Sequence, residues 1–123
     1  MRPCIKEYQA AEEFYIDEGC YITELSNSED DPGLSIARAR VKPGVTTKLH
    51  KLVDTVERYV ILEGEGLVEI DGITADKVGI SDVVIIPEGC SQKITNTGES
   101  DLVFLAICSP RFTKESYKDV VNK

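Results

Sequence analysis

Histidine is almost missing from this chain of 123 residues: His50 is the only one. A metal cage built from several imidazoles is therefore beyond the reach of a single protomer. Paired cysteines are missing too. Cys4, Cys20, Cys90 and Cys108 are scattered and form no CxxC pair, which excludes a zinc ribbon or a thioredoxin motif. No apolar run approaches the roughly 18–20 residues of a membrane span, and Met1 to Lys6 lead into a charged segment without a signal-peptide core. The expectation is a cytoplasmic protein, whose cysteines read as small buried hydrophobes in a reducing compartment. Positive charge is also scarce. A formal net charge of −8 at pH 7 argues against nucleic acid or an anionic membrane as partner, since both would repel the chain.

What remains is the composition of one ordinary globular domain, 41% hydrophobic and 29% charged. Short β-rich runs at 20–25, 34–41, 45–51, 57–62, 66–70, 82–86, 90–95 and 102–108 alternate with turn signals such as Asp31-Pro32-Gly33, Gly64-Glu65-Gly66 and Pro87-Glu88-Gly89. About eight short strands at this spacing predict an all-β barrel or jelly roll. Three regions follow: an N-terminal arm over 1–19, a barrel over 20–110, and a tail over 111–123. In the tail, Thr113 as N-cap and Glu115 in the first turn predict a short helix.

The stretch from Gly44 to Gly64 carries a pattern. Gly44, His50, Leu52, Glu57 and Gly64 keep the spacing G(X)5HXH(X)3–4E(X)6G, and Ser81, Pro87, Gly89, Gln92 and Asn96 keep that of G(X)5PXG(X)2H(X)3N. These are the two motifs of the cupin superfamily, which the chain resembles over residues 44–96. The resemblance implies a small single-domain jelly-roll barrel, a homodimer, and a metal in the barrel mouth on three histidines and a glutamate. Leu52 and Gln92 stand where two of those histidines belong, so only His50 and Glu57 keep ligand types.

Strand parity puts Thr46, Lys48, His50 and Leu52 on one face, Glu57, Tyr59 and Ile61 on another, and Cys90, Gln92, Ile94 and Asn96 on a third. The resemblance implies that these faces look into the barrel. The pocket would then hold one imidazole, one carboxylate, one amide and one ammonium, walled by Leu52, Tyr59 and Ile61. For metal, His50 and Glu57 give one nitrogen and one anion, and Gln92 adds a poor neutral oxygen donor. The cofactor left open is thus a weakly held divalent metal on His50, Glu57, Gln92 and waters.

Without metal, His50 and Glu57 form a candidate proton-transfer pair or a satisfied structural one. Lys48 is either a desolvated base or imine former, or a side chain that reaches the rim. Tyr59 reads as wall, Asn96 as turn support, and Cys90 as a weak candidate for the same pocket. Arg38 and Arg40 share the face opposite Ala37, Ala39 and Val41, and either fork an anion inside or, the reading preferred here, meet solvent and acidic surface outside.

Three functions stay in play. The first is a cupin pocket binding a small polar or anionic ligand with an incomplete metal site. The second is a metal-dependent enzyme of isomerase, lyase or dioxygenase type using His50, Glu57 and Gln92. The third is an assembly protein acting through the 1–19 arm, where Phe14-Tyr15-Ile16 is the candidate dimer contact.

Overall fold

Period-two alternation of buried and outward side chains shapes nearly every element of the computed structural model, which describes residues 1–72 and 76–120. Its strands are β1 (Phe14–Ile16), β2 (Cys20–Ser26), β3 (Ser35–Val41), β4 (His50–Leu52), β5 (Val56–Glu63) and β6 (Gly66–Ile70). They continue as β7 (Asp76–Val78), β8 (Val83–Ile86), β9 (Ser91–Asn96), β10 (Leu102–Ser109) and β11 (Tyr117–Asp119). One antiparallel sheet has six strands in the order β1-β2-β3-β10-β5-β8, and a second has five in the order β11-β4-β9-β6-β7. The inward residues of both meet in one core, with Val41, Ile61 and Phe104 from the first sheet and Val68 and Ile94 from the second. This is an all-β jelly roll, the architecture expected from the strand spacing. Among the described residues no helix is long and apolar enough to cross a membrane.

Alternation is cleanest in β5 and β9. β5 buries Glu57, Tyr59 and Ile61, and β9 buries Gln92, Ile94 and Asn96. The run 45–51 behaves differently. Only His50–Leu52 is strand, preceded by an isolated bridge between Thr46 and Thr95. The Lys48 amide turns away from β9 and donates to the Glu18 carbonyl at 2.7 Å, so parity breaks. Thr47 is buried while Thr46 and Lys48 face out. The tail forms a single 3-10 turn, Lys114–Ser116, capped by Thr113. It then becomes β11, whose Tyr117 and Asp119 pair with Leu52 and His50 of β4. A β-forming Tyr117 beside the open edge of β4 ends the helix after one turn. Residues 121–123 of the expected tail lie outside the described residues.

The segment read as an arm divides in two. Phe14–Ile16 adds to β2 of its own chain as the sheet's edge strand. Upstream, Glu13 bridges to Arg40 at 2.6 Å and Arg38 at 3.7 Å, and Arg40 also reaches Asp101 at 3.1 Å. The arginines are therefore outside the barrel, while Ala39 and Val41 are in the core. The Arg40 hydrogen bond holds the Glu13 carboxyl below its ordinary range.

One end of the barrel is closed. Gly64 has φ +83°, and a Cβ there would sit 2.7 Å from the Asp101 carbonyl oxygen. Only glycine accepts both the conformation and the approach.

Candidate functional site

The other end opens into a cavity of about 810 Å³, floored by Tyr59 and Phe104 and bounded by the β1–β2 turn on one side and β4 with β11 on another. Its chemistry begins with register. The pairing of β4 with β9 sets His50 opposite Gln92, and the pairing of β5 with β10 sets Glu57 opposite Cys108. Because each of these positions is an inward one, His50, Glu57 and Cys108 reach the cavity wall, with Gln92 packed behind it.

His50 is 3% exposed. Its Nδ1 lies 2.9 Å from the Lys48 carbonyl oxygen and 3.3 Å from Glu18 Oε1. Both neighbours are acceptors, a carbonyl always and a carboxylate when ionised, so Nδ1 carries the hydrogen. In the neutral ring Nε2 is then a lone-pair acceptor, and it has no hydrogen-bond partner among the described residues. The ring stacks on Tyr117 with centroids 5.0 Å apart and planes 11° apart, which fixes its orientation.

Glu57, 8% exposed, accepts a 2.8 Å hydrogen bond from Gln92 Nε2 at one oxygen and a weak 3.7 Å contact from the Cys108 thiol at the other. Burial pushes its carboxyl up to about 7; the Gln92 hydrogen bond and His50 oppose this, and Glu18 adds to it. Glu18 is likewise raised to about 7, by burial and then by the nearby charge of Asp119. Burial also drives the Cys20 and Cys108 thiols and the Tyr59 hydroxyl upward, leaving them protonated at neutral pH. Two titratable carboxyls and one oriented imidazole thus face a common space, a constellation suited to holding or passing a proton.

Of the residues singled out from sequence, Lys48, His50, Leu52, Glu57 and Tyr59 line this cavity. Lys48 does so from the rim, half exposed and paired with Asp119 at 3.5 Å, so it is not desolvated. Gln92 sits behind the lining, its carbonyl oxygen accepting from the Tyr59 hydroxyl and its nitrogen donating to Glu57. Ile61 lies in the core instead of the pocket wall. Cys90 is turned towards Asp71, which raises its thiol. Asn96 belongs to the closed end, donating to the carbonyl oxygens of Val41 and Ser100.

Sequence reasoning missed Glu18, Cys108, Tyr117 and Asp119. The alternation of 102–108 could have placed Cys108 by parity. Glu18 sat in a segment read as an arm, and nothing local marks Tyr117 and Asp119 as part of a strand beside His50.

For a metal, the donors on hand are His50 Nε2 and the Glu57 carboxylate. Leu52 offers none, and the Gln92 carbonyl oxygen already accepts from Tyr59. No group of three His, Cys, Asp or Glu among the described residues is placed to hold an ion. That set falls short of the three or four donors of a tight transition-metal site.

No protein-family model matches the chain. It is 33% identical over 111 residues to an uncharacterized protein of Methanocaldococcus jannaschii, covering 89% of this chain and 88% of that one. An oxalate-binding protein of Thermotoga maritima is 39% identical over 71 residues, 58% of each chain. Among solved structures, a predicted oxalate decarboxylase from Thermotoga maritima superposes with a TM-score of 0.68 at 32% identity, over 74% of this chain and 80% of that one. The cupin domain of Schizosaccharomyces pombe Cnp3 superposes with a TM-score of 0.71 at 16% identity, over 85% and 73% of the two chains. Two facing antiparallel sheets, the motif spacing on β4, β5 and β9, and these likenesses lead to one conclusion: the chain belongs to the cupin superfamily.

Proposed function

We propose that this protein is a small cupin whose barrel cavity binds a small polar ligand by hydrogen bonding, without a tightly held metal. One observation carries the reading: His50 lines the cavity with its ring locked by the Nδ1 hydrogen and by stacking on Tyr117, and its Nε2 has no hydrogen-bond partner among the described residues. A polar atom left open on a cavity wall finds its partner in a ligand or in water. The likeness to an oxalate-binding protein supports small-molecule binding. An anionic ligand would face Glu18 and Glu57, so it would bind best once those carboxyls are protonated, below about pH 7.

Thermal-shift measurement on metal-free protein against polyols, sugars, amines, amino acids and small dicarboxylates tests this. The reading expects a saturable rise in Tm with at least one class, reduced in His50→Ala. A flat response to the whole set would count against it.

The second reading is the metal-dependent enzyme of isomerase, lyase or dioxygenase type on His50, Glu57, Gln92 and waters. It is favoured by the Nδ1–H of His50 donating to a backbone carbonyl, as metal-bound imidazoles do. Elemental analysis decides between the two: near-stoichiometric transition metal, lost in His50→Ala, selects the enzyme.

We also place the protein in the cytoplasm, where Cys20 and Cys108 would persist as buried free thiols, and take it to be a homodimer. Phe14 and Tyr15 on edge strand β1 are about half exposed, and Val83 and Ile85 on edge strand β8 are exposed. Light scattering at micromolar concentration should report twice the mass of 13.6 kDa.

A further inference from the structure

Resting on the cavity as a ligand site, we propose that its ligand is an organic amine, bound as an ammonium group between Glu57, Glu18 and His50 Nε2. Hydrogen-bond capacity points there first. The donors tied to Glu57 and His50 are already engaged: the Tyr59 hydroxyl with Gln92, the Gln92 amide with Glu57, and the His50 Nδ1 hydrogen with Lys48 and Glu18. What the interior has left is acceptors, namely His50 Nε2, the second oxygen of Glu18, and Glu57 Oε2 with only a weak thiol contact. An ammonium brings three donors and no acceptor, and so complements this set.

Charge selects the same class. Glu18 and Glu57 are both buried in the cavity wall; the charge of Glu18 acts at Glu57, and that of Asp119 acts at Glu18. Three basic side chains line the cavity: Lys48 pairs with Asp119, Arg111 donates to Asn27, and Lys114 is exposed. A bound anion beside His50 would meet two buried carboxyls with no buried lysine or arginine to offset them. A bound cation relieves the cost of burying those carboxyls.

Size and walls separate an organic cation from a metal ion. About 810 Å³ is room for a carbon skeleton, and Leu52, Ala39 and Ala106 give it apolar surface. Tyr59 and Phe104, packed on each other at 4.4 Å, add aromatic surface to the same wall. A first-row metal would find one nitrogen donor and one firmly placed carboxylate.

Isothermal titration calorimetry of the full, metal-free chain tests the inference, with n-butylamine, 1,4-diaminobutane, 1,4-butanediol, oxalate and zinc chloride as probes at pH 7.5. The amines should bind saturably and roughly tenfold or more tighter than the diol, as expected for charge-assisted over neutral hydrogen bonds. Glu18→Gln and Glu57→Gln should each weaken the amines about tenfold or more while changing the diol little. Diol or oxalate binding as tightly as the amines overturns the amine assignment and leaves the cavity as a polar-ligand site. Zinc binding more tightly than the amines overturns it in favour of the metal reading. Amines that fail to saturate overturn it as well; if the wider thermal-shift set is also flat, the ligand-site reading falls with it.

Discussion

The two ends of the barrel bury polar groups to the same depth and treat them differently. At the closed end Asn96 is 1% exposed, and its amide is fully engaged: Nδ2 donates to the Val41 and Ser100 carbonyls, each at 2.8 Å, and Oδ1 accepts from the Gly98 amide at 2.9 Å. At the open end His50 and Glu57 are nearly as buried, at 3% and 8%, but retain unfilled acceptor capacity. The first arrangement holds strands together. The second waits for a partner. Both ends keep motif residues, so the motif alone does not separate architecture from chemistry; the hydrogen-bond inventory does.

The sharpest way to break that contrast is at the closed end, where the largest losses are expected. Gly64→Ala must hold a side chain at φ +83° with its Cβ 2.7 Å from the Asp101 backbone oxygen. The expected loss is roughly 3 kcal/mol or more. Asn96→Ala leaves the buried Val41 carbonyl, the part-buried Ser100 carbonyl and the Gly98 amide without their partner, and should cost roughly 2–3 kcal/mol. Urea unfolding measures both, and a loss below about 1 kcal/mol in either would show that the closed end is not the rigid one.

At the open end the same measurement should depend on pH. Burial pushes the Glu57 and Glu18 carboxyls up to about 7 in the folded chain, above the ordinary 4.5 of a glutamate. The folded state therefore holds protons more tightly than the unfolded one, and stability falls as pH rises from about 4.5 through about 7, then levels. The shift at Glu57 alone corresponds to an upper bound of about 3 kcal/mol. Glu13 is shifted downward, so its contribution is present above 4.5 and is lost only at lower pH; it stays constant through this window. Glu57→Gln should flatten much of the slope between pH 5 and pH 8. An unchanged slope in that variant would assign the pH dependence elsewhere.

Gln92→Leu should act more mildly, by roughly 1–2 kcal/mol, because it removes the bonds to Tyr59 and Glu57 but fills their space with apolar volume. It should also raise the Glu57 carboxyl further, since the Gln92 hydrogen bond is what lowers it most. The pH at which stability levels off would move up accordingly.

These residues also show how far the chain could be read before its structure. β5 and β9 were legible because each is hydrogen-bonded on both sides and has one face in the core, so Glu57, Tyr59, Gln92 and Asn96 follow from parity. The run 45–51 was not, because the Lys48 amide is claimed by Glu18, a partner thirty residues away that no local pattern announces. β11 is a strand only because β4 offers an edge to it, and so Tyr117 beneath His50 was invisible. The side of Gln92 was readable, but its direction was not. Whether an inward amide faces the cavity or its neighbours depends on Tyr59 and Glu57 both lying within reach, a coincidence of two strands, β5 and β9, across two sheets.

Lys48 gives the smallest effect and the finest test of where the open end stops. Its ammonium is half exposed and pairs with an equally exposed Asp119 at 3.5 Å. Exposed ion pairs of this kind contribute little because water screens them and both side chains lose freedom on pairing. Lys48→Ala should therefore change stability by no more than about 0.5 kcal/mol. It should leave the pH slope set by Glu57 and Glu18 intact, since neither carboxyl takes its shift from Lys48. If the variant instead cost as much as Gln92→Leu, or moved the slope, the rim would have to be redrawn inward to include Lys48 among the interior groups. The cavity would then hold a cation of its own, and its preference between anionic and cationic ligands would reverse.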